Sequence, residues 1–365
     1  MRIVFIQRSV GEGGSKMSLL ESLRAGRTQP DIHCLIVTWG HGRFVDECSQ
    51  LGLQLITAAM PDWRKLLQRF SFRRRVDVVA EKIRPFAPDY IVSNEMWWAP
   101  HALRLASRLK CRSACILRDT LAAGPKARQY RLHALDRVLC ISAAMQDELK
   151  RKTDLSENLR LVYNPVFAPA VEVPETDLHP QLKKFPHVQN WLLTIGRVGE
   201  RKNQLECVRV LGRLHEAGLK NYGMILAGSI DDDYLPKLRE TISQLKLESF
   251  VCIAGQITQI GNLIQQCEIT LLTSEREGLP RSVIESFLLG KACFSTPLPG
   301  LDEIYGAQLF RFVSAEPKAS ALAAIVINAL ANPSEMRGHV ATVQQTVREK
   351  FAPENYWPKM RRALG

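Results

Sequence analysis

Short apolar segments alternate with helical segments in two series, and this alternation most restricts the fold of the 365-residue chain. The first series fills residues 1–165, and the second begins at residue 190. Such alternation predicts parallel sheets covered by helices. The sequence therefore predicts an α/β chain of two doubly wound, Rossmann-like domains facing across a cleft. The predicted strands are Arg2–Gln7, His33–Thr38, Tyr90–Ser93, Ala114–Leu117, Val138–Ser142, Trp191–Gly196, Met224–Ala227, Val251–Ala254, Ile269–Thr273 and Ala292–Ser295.

Five prolines between residues 164 and 189 separate the two series. Proline-rich stretches without a long apolar period are typical of linkers. The sequence thus predicts an N-terminal domain (1–165), a linker (166–189), a C-terminal domain (190–350) and a tail helix (351–365).

Glu277 and Glu285 are separated by seven residues that include Gly278, Leu279 and Pro280. An apolar segment predicted to be a strand precedes them, and a predicted helix begins near Pro280, where a missing N–H costs nothing. A helix N-terminus at the carboxyl end of a strand is a ready anion site. Each glutamate alone is more simply an ordinary solvated acid. Together they suit the hydroxyl groups and the phosphate of a nucleotide-sugar.

Arg197 and Lys202 follow another predicted strand and precede an amphipathic helix. Singly, each is more simply an exposed charge. Two cations in one such loop can neutralise a diphosphate, and arginine can do so with two hydrogen bonds.

With these motifs in this order, the chain resembles the retaining nucleotide-sugar glycosyltransferases of family 4, which have the GT-B architecture. The resemblance covers nearly the whole length. It implies that the tail helix crosses back to the N-terminal domain. The segments that carry it are Gly13-Gly14, Val138–Ser142, Val162–Val166, Gly196-Arg197, Lys202-Asn203, Leu226–Gly228, Gly255–Ile257, Thr273–Glu285, Pro299-Gly300 and Glu303.

The resemblance implies roles for individual residues. It places Glu277 on the hydroxyls of the donor sugar and Glu285 on the ribose, with Arg197 and Lys202 on the diphosphate. The remaining donor contacts that it implies are the backbone of Gly278 and Leu279, the loop at Ile257, and the glycines Gly13 and Gly14 after the first strand. Segment 11–16 also partly matches a dinucleotide fingerprint and a phosphate loop, but it lacks the third glycine of the first and the Gly-Lys-Ser ending of the second.

The chain departs from the family where many relatives carry histidine in the N-terminal domain. Arg118 and Asp119 end the strand that meets the reacting sugar in the family, and Asn94-Glu95 stands where a second histidine is common. Arginine cannot act as an acid–base at neutral pH. We expect Glu95, Arg118 and Asp119 to contact the acceptor, or the donor sugar and its phosphate in the case of Arg118.

The acidic triplet Asp231–Asp233 imitates a metal-binding motif, but aspartates at a helix start more often cap the helix. Since Arg197 and Lys202 already supply positive charge, we expect no metal and no other cofactor.

The net charge is distributed unevenly between the two predicted domains. Residues 1–165 contain 27 of the 49 Lys and Arg but 16 of the 37 Asp and Glu, a net charge of +11, whereas the remainder carries +1. This asymmetry predicts an acidic acceptor or an anionic membrane surface. Segment 62–75 is the membrane candidate, because Trp63, Leu66, Leu67 and Phe70 fall on one helical stripe among basic residues. The alternative is an ordinary helix packed on the sheet. Nucleic acid is disfavoured, since no reading module is recognisable.

The nine cysteines are scattered and lack zinc-like spacing, which favours a reducing compartment. No apolar run reaches 18 residues, and the first residues form a predicted strand rather than a secretion signal. We therefore expect a cytoplasmic location, with peripheral attachment to the inner face of the membrane as an option.

These expectations combine into one prediction: metal-independent, retaining transfer of a sugar from a nucleoside-diphosphate sugar to a cell-envelope glycan or glycolipid. A nucleotide-sugar 2-epimerase of the same fold would instead act without an acceptor. A non-catalytic lipid- or glycan-binding relative would be expected to lose the set Arg197, Lys202, Glu277 and Glu285, which this chain keeps.

Overall fold

The chain divides into two compact units in a computed structural model. Unit 1 consists of residues 1–166 and 351–365, and unit 2 of residues 167–350. Each is built on a parallel sheet covered by helices, so the predicted α/β class is confirmed. The structure describes residues 1–9, 13–63, 65–118, 125–155, 157–172 and 180–365.

The sheet of unit 1 has the order β3-β2-β1-β4-β5-β6-β7, and every pairing is parallel. Its central strands are buried on both faces, which explains their continuous apolar sequences. Because all strands run the same way, the loops after them meet at one edge of the sheet. The strands are β1 (Arg2–Ile6), β2 (His33–Thr38), β3 (Gln54–Thr57), β4 (Tyr90–Ser93), β5 (Arg112–Leu117), β6 (Arg137–Cys140) and β7 (Leu159–Leu161).

Helices connect these strands and cover the sheet. The face of α3 that packs on the core carries Phe72, Val76, Val79 and Ile83, at helical spacing. The helices of this part of the chain are α1 (Gly14–Gly26), α2 (Arg43–Gln50), α3 (Leu66–Ile83), α4 (Ala99–Leu109), α5 (Pro125–Gln129) and α6 (Ala143–Lys152).

The apolar stripe predicted for segment 62–75 is wrong at its two ends, Trp63 and Phe70, whereas the side chains of Leu66 and Leu67 lie outside the described part of the structure. Trp63 precedes α3 and packs into the core, with its ring 4.8 Å from that of Phe72. Phe70, on the same predicted stripe, is 84% exposed. The helix begins too late to place Trp63 on its surface, and the buried face is the one that carries Phe72. Arg64 lies outside the described residues.

Unit 2 repeats the plan with a parallel sheet of order β10-β9-β8-β11-β12. Part of the predicted linker belongs to this unit, because Leu182 is buried in its core. Residues 173–179 of the linker lie outside the described part. The strands are β8 (Asn190–Ile195), β9 (Tyr222–Ala227), β10 (Val251–Gly255), β11 (Ile269–Leu272) and β12 (Ala292–Ser295). The helices are α7 (Gln204–Glu216), α8 (Leu235–Gln244), α9 (Ile260–Gln266), α10 (Arg281–Leu288), α11 (Asp302–Tyr305), α12 (Leu309–Phe312), α13 (Ala319–Ala331) and α14 (Pro333–Phe351).

The last helix, α15 (Tyr356–Leu364), packs within unit 1. Trp357 is 1% exposed, and its indole N–H donates to the carbonyl oxygen of Ser22 at 2.8 Å. The hydroxyl of Tyr90 donates to the carbonyl oxygen of Leu364. A buried tryptophan and two hydrogen bonds to distant segments thus attach the last residues of the sequence to the first unit.

Candidate functional site in unit 2, with a polar cluster in unit 1

Close backbone contact shapes the carboxyl edge of the sheet in unit 2. Gly228, which follows β9, has φ +152°, and a Cβ atom there would lie 2.1 Å from the carbonyl oxygen of Gly196. Only glycine fits such an approach at such a φ. The loops that follow β8 and β9 are therefore held against each other, and both begin at this edge.

The backbone around Lys202 is held in place by residues that follow the neighbouring strand, β11. It ends a short 3₁₀ turn, Glu200–Lys202, and Asn203 then takes the left-handed conformation. The buried hydroxyl of Thr273, just after β11, donates to the carbonyl oxygen of Asn203 at 2.8 Å. The N–H of Glu275 donates to the carbonyl oxygen of Arg201 at 2.9 Å. These two bonds tie the loop after β8 to the loop that carries Glu277.

Lys202 and Glu277 form a largely buried ion pair. Lys202 Nζ lies 2.7 Å from Glu277 Oε1, and the two side chains are 15% and 10% exposed. Arg201 lies at 3.6 Å from the other carboxylate oxygen. A buried carboxylate needs such compensation, because its desolvation is costly. Two residues that the sequence assigned to separate roles are thus brought together, with Arg201 as an additional partner that the sequence did not single out.

Arg197 is 65% exposed and donates from Nη2 to Asp231 Oδ2 at 2.9 Å. The buried side chain of Gln204 holds its loop, with the amide group accepting from Gly199 N–H and donating to the carbonyl oxygen of Arg197. The Arg197 guanidinium therefore pairs with Asp231, whereas Lys202 pairs with Glu277.

The predicted capping role of Asp231–Asp233 is wrong. Tyr234 is the N-cap of α8, and no described side chain caps that helix end. The carboxylate of Asp231 pairs with Arg197 instead, and its backbone carbonyl accepts the N–H groups of Tyr234 and Leu235. In the part of the chain that the structure describes, no group of three or more His, Cys, Asp or Glu is arranged to hold a metal ion.

Glu285 lies one turn into α10, as predicted, and its partner is Arg281. The guanidinium donates to Glu285 Oε1 from Nη2 at 2.7 Å and from Nε at 3.3 Å. Pro280 is the N-cap residue. The sequence analysis missed Arg281, although its spacing of four residues from Glu285 on a predicted helix was the signal that could have found it.

The remaining predicted donor contacts of unit 2 are parts of loops at the same sheet edge. Gly278 is half-buried and Leu279 is buried, between β11 and α10. Ile257 follows β10 and packs partly against the core of the unit.

The thiol of Cys207 is too weakly acidic to act as a nucleophile at this edge of the sheet. Cys207 lies behind the site, with Sγ 3.0 Å from Thr273 Oγ1. Burial raises the pKa of its thiol to about 12. Since the thiolate is the nucleophile, this thiol is unreactive at neutral pH. All nine cysteines lie in the described residues, and none forms a disulfide.

Unit 1 has a different arrangement at the carboxyl edge of its sheet. Asn94 is fully buried, and its Oδ1 accepts from Arg118 Nη2 at 2.5 Å and from Nε at 3.1 Å. Arg118 Nη1 also donates to the side chain of Asn164, and Asn94 donates to Gln7. Amide groups that follow β4 and β7 therefore hold the arginine that follows β5, and the amide group that follows β1 holds Asn94. We call Gln7, Asn94, Arg118 and Asn164 the amide cluster.

Glu95 lies beside the amide cluster and accepts a hydrogen bond from the hydroxyl of Ser15 at 2.7 Å. Among the predicted acceptor contacts, Glu95 and Arg118 thus lie at one edge of the sheet. Asp119 lies outside the described residues. Gly13 is the N-cap of α1 and Gly14 is its first residue, and no described atom lies within 4 Å of where a Cβ atom would be at either position. Packing against the described residues therefore does not explain why these two positions are glycine.

The family model described as glycosyl transferases group 1 matches residues 176–343, a little under half of the chain. The capsular polysaccharide biosynthesis glycosyltransferase CapH of Staphylococcus aureus is 20% identical in an alignment over 297 residues that covers 78% of this chain and 78% of CapH. The matched region of the family model contains every predicted site residue of unit 2.

Solved structures match over the whole length. Anabaena HepE in complex with UDP and glucose superposes with a TM-score of 0.82 at 17% identity, covering 100% of this chain and 99% of HepE. The fold is that of the GT-B glycosyltransferases. The lipopolysaccharide outer core galactosyltransferase WaaB has a TM-score of 0.73 at 17% identity, over 100% of this chain and 99% of WaaB.

Within the described residues of this GT-B chain, every helix is too short or too polar to cross a bilayer.

Proposed function

We propose that the protein is a retaining glycosyltransferase that moves a sugar from a nucleoside-diphosphate sugar to a cell-envelope glycan or glycolipid. The observation that carries the proposal is the set of charged side chains at one edge of the sheet in unit 2. The Lys202–Glu277 pair joins the loops after the neighbouring strands β8 and β11, and Glu285 lies in the first turns of α10, which follows the second of these loops. This is the edge at which open α/β sheets bind ligands. The family match and the likeness to HepE, whose structure contains UDP and glucose, support the assignment.

In the proposed reaction, Glu277 holds hydroxyl groups of the donor sugar and Glu285 holds the ribose. Lys202 already contacts Glu277 at 2.7 Å, so a diphosphate bound beside the sugar would share its ammonium group. Arg197 reaches the diphosphate by exchanging its exposed contact with Asp231. Backbone N–H groups at Gly278 and Leu279 add hydrogen bonds at the start of α10. Groups placed in advance where negative charge develops are usually the largest source of rate acceleration.

Retention follows from attack on the face that the leaving group vacates. The acceptor hydroxyl forms a bond to the anomeric carbon as the bond to the diphosphate breaks. The hydroxyl proton passes to an oxygen of the leaving diphosphate. No nucleophile from the protein is needed in this scheme, and the raised pKa of Cys207 agrees with that. Positive charge from Arg197 and Lys202 takes the place of a metal ion in it.

The acceptor is proposed to bind unit 1, where Glu95 and Arg118 lie at the carboxyl edge of the sheet. The net charge of +11 over residues 1–165 favours an acidic acceptor. CapH is named for capsular polysaccharide and WaaB for the outer core of lipopolysaccharide, so surface glycans are the first acceptors to test.

A membrane contact is also proposed on α3, through Phe70 and its neighbouring arginines rather than through the whole stripe that the sequence predicted. Phe70 is 84% exposed, and Arg73 and Arg74 are exposed on the same helix. An exposed aromatic side chain among arginines suits the interface of an anionic bilayer. This contact would place the enzyme on the cytoplasmic face of the membrane, beside a lipid-linked acceptor.

Thermal unfolding with UDP, GDP, ADP and CMP, each with and without EDTA, tests the donor site. A nucleotide at 100 times its dissociation constant adds about 2.7 kcal/mol of stability. We expect one diphosphate to stabilise the protein equally with and without EDTA, and we expect Glu285→Gln to reduce the shift. Loss of the shift in EDTA would disprove metal independence. No shift with any nucleotide would favour the non-catalytic alternative.

A further inference from the structure

Arg281 and Glu285 form a compact pair on the first turns of α10. Two hydrogen bonds join them, from Nη2 at 2.7 Å and from Nε at 3.3 Å, and both end on Glu285 Oε1. The side chains are only 18% and 12% exposed. Hydrogen bonds between charged groups are stronger than neutral ones, and they hold the carboxylate in one orientation.

The stability of α10 does not explain an arginine at this position. Arg281 is the first residue of the helix, and no acidic residue occupies the first turn. A helix N-terminus carries partial positive charge, so a cation there is unfavourable. The order of the pair, with the cation before the anion at a spacing of four, is also the weaker one. A residue that breaks local rules in this way is expected at functional sites.

We propose that Arg281 is a positioning residue that orients Glu285 toward the ribose of the donor. The proposal rests on the nucleoside-diphosphate site described above. Because both hydrogen bonds fall on Oε1, Oε2 is the oxygen that accepts from the ribose hydroxyls. Arg281 also neutralises a carboxylate that would otherwise repel the diphosphate at the start of the same helix. The recognition of ribose by Glu285 therefore depends on Arg281.

A 2′-deoxynucleotide provides the test. Titration calorimetry would measure the affinities for the nucleoside diphosphate that stabilises the wild type and for its 2′-deoxy form. An ionised hydrogen-bond partner gives about tenfold preference for the ribonucleotide. We expect this preference in the wild type and its loss in both Arg281→Ala and Glu285→Gln. The double variant should show the same ratio as each single variant, because the two residues act as one unit.

Arg213→Ala is the matched control, because it also removes the arginine of an ion pair on a helix, here with Glu216. Both side chains of that pair are more than half exposed, unlike those of Arg281 and Glu285. The control should keep the preference. Arg281→Lys keeps the charge but loses the planar fork, so its preference should fall between those of the wild type and Arg281→Ala. A thermal unfolding curve for each variant shows that it is folded.

Two outcomes would overturn the inference and leave the proposed function intact. If Arg281→Ala weakens the binding of both nucleotides by one factor and keeps their ratio, Arg281 contacts the phosphate directly. Equally, unchanged affinities in Arg281→Ala would make the pair structural only. The proposed function itself fails by a different result, which is that the wild type binds no nucleoside diphosphate.

Discussion

The carboxyl edges of the two sheets hold their polar side chains in opposite ways. In unit 2, acids and bases pair directly, as in Lys202 with Glu277 and Arg281 with Glu285. In unit 1, the amide groups of Asn94 and Asn164 hold Arg118. Ion pairs can open to take a charged ligand and close again when it leaves. Buried amide hydrogen bonds fix a side chain in place. The difference predicts that Lys202 and Arg197 of unit 2 exchange partners during donor binding, while the Arg281–Glu285 pair stays joined. Unit 1 instead presents a fixed surface.

The largest effect is expected from Lys202→Ala. Loss of one preorganised donor at a developing negative charge typically lowers turnover by about 10²–10³. The substitution also leaves Glu277, at 10% exposure, without its partner at 2.7 Å. The rate of donor consumption would be measured, with Lys220→Ala as an exposed control on the same unit.

Stability must be separated from chemistry in that experiment. The double variant Lys202→Met with Glu277→Gln removes both charges at similar volume, so it should restore stability without restoring activity. Turnover within threefold of the wild type in Lys202→Ala would remove the lysine from the proposed machinery.

A smaller effect is predicted for His101 of unit 1, whose protonation at acidic pH should lower the free energy of unfolding. The ring is fully buried, its Nε2–H donates to the carbonyl oxygen of Pro61 at 2.7 Å, and burial lowers its pKa to about 4. The unfolded chain, with an ordinary pKa near 6.5, binds the proton more readily, so stability is highest above pH 6.5 and falls as pH drops toward 4. The loss attributable to this group is about 3 kcal/mol between pH 7 and pH 4.

Urea unfolding of the wild type and His101→Leu at pH 7 and pH 4 checks this prediction. The carboxylates titrate in both proteins, so only the difference between the two pH dependences belongs to His101. Equal dependences in the two proteins would show that the buried ring does not resist protonation.

Arg118→Ala tests whether the amide cluster is a separate, fixed surface. It leaves the oxygen of the fully buried Asn94 without two donors, so we expect a loss of about 2 kcal/mol of stability. Affinity for the nucleoside diphosphate should change less than twofold, because the described contacts of Arg118 lie in unit 1. Arg43→Ala, an exposed ion-pair arginine of that unit, is the control. A tenfold loss of nucleotide affinity would instead assign Arg118 to the donor.

Much of this fold follows from apolar periodicity. The predicted strands agree with the structure to within two residues at each end, because buried parallel strands are continuous apolar runs. Two short strands were missed. β3 is a four-residue edge strand whose residues are at least partly exposed, and β7 has three residues. Neither gives the continuous apolar signal, since an edge strand packs against fewer neighbours.

The candidate site was less predictable than the fold. Sequence motifs identified Glu277, Lys202 and Glu285, but they missed two further partners. The contact of Arg201 with Glu277 is visible only in the structure, whereas the spacing of Arg281 from Glu285 was a signal that was overlooked. The amide cluster was missed for a related reason. Asn94 and Asn164 are 70 residues apart, and only the parallel order of the strands brings them to one arginine. Tertiary convergence of this kind has no local pattern in the sequence.

The smallest effect is expected from Asp231→Ala, which tests whether Arg197 can leave Asp231 for the diphosphate at little cost in free energy. Arg197 is 65% exposed and Asp231 34%, so their pair at 2.9 Å contributes at most about 1 kcal/mol. Its removal should shift thermal unfolding only slightly. Nucleoside-diphosphate affinity should rise by no more than a few fold, because Arg197 no longer has to leave a carboxylate. A fall in affinity would mean that Asp231 holds Arg197 in its binding position. The contrast between an exchanging edge in unit 2 and a fixed edge in unit 1 would then no longer hold.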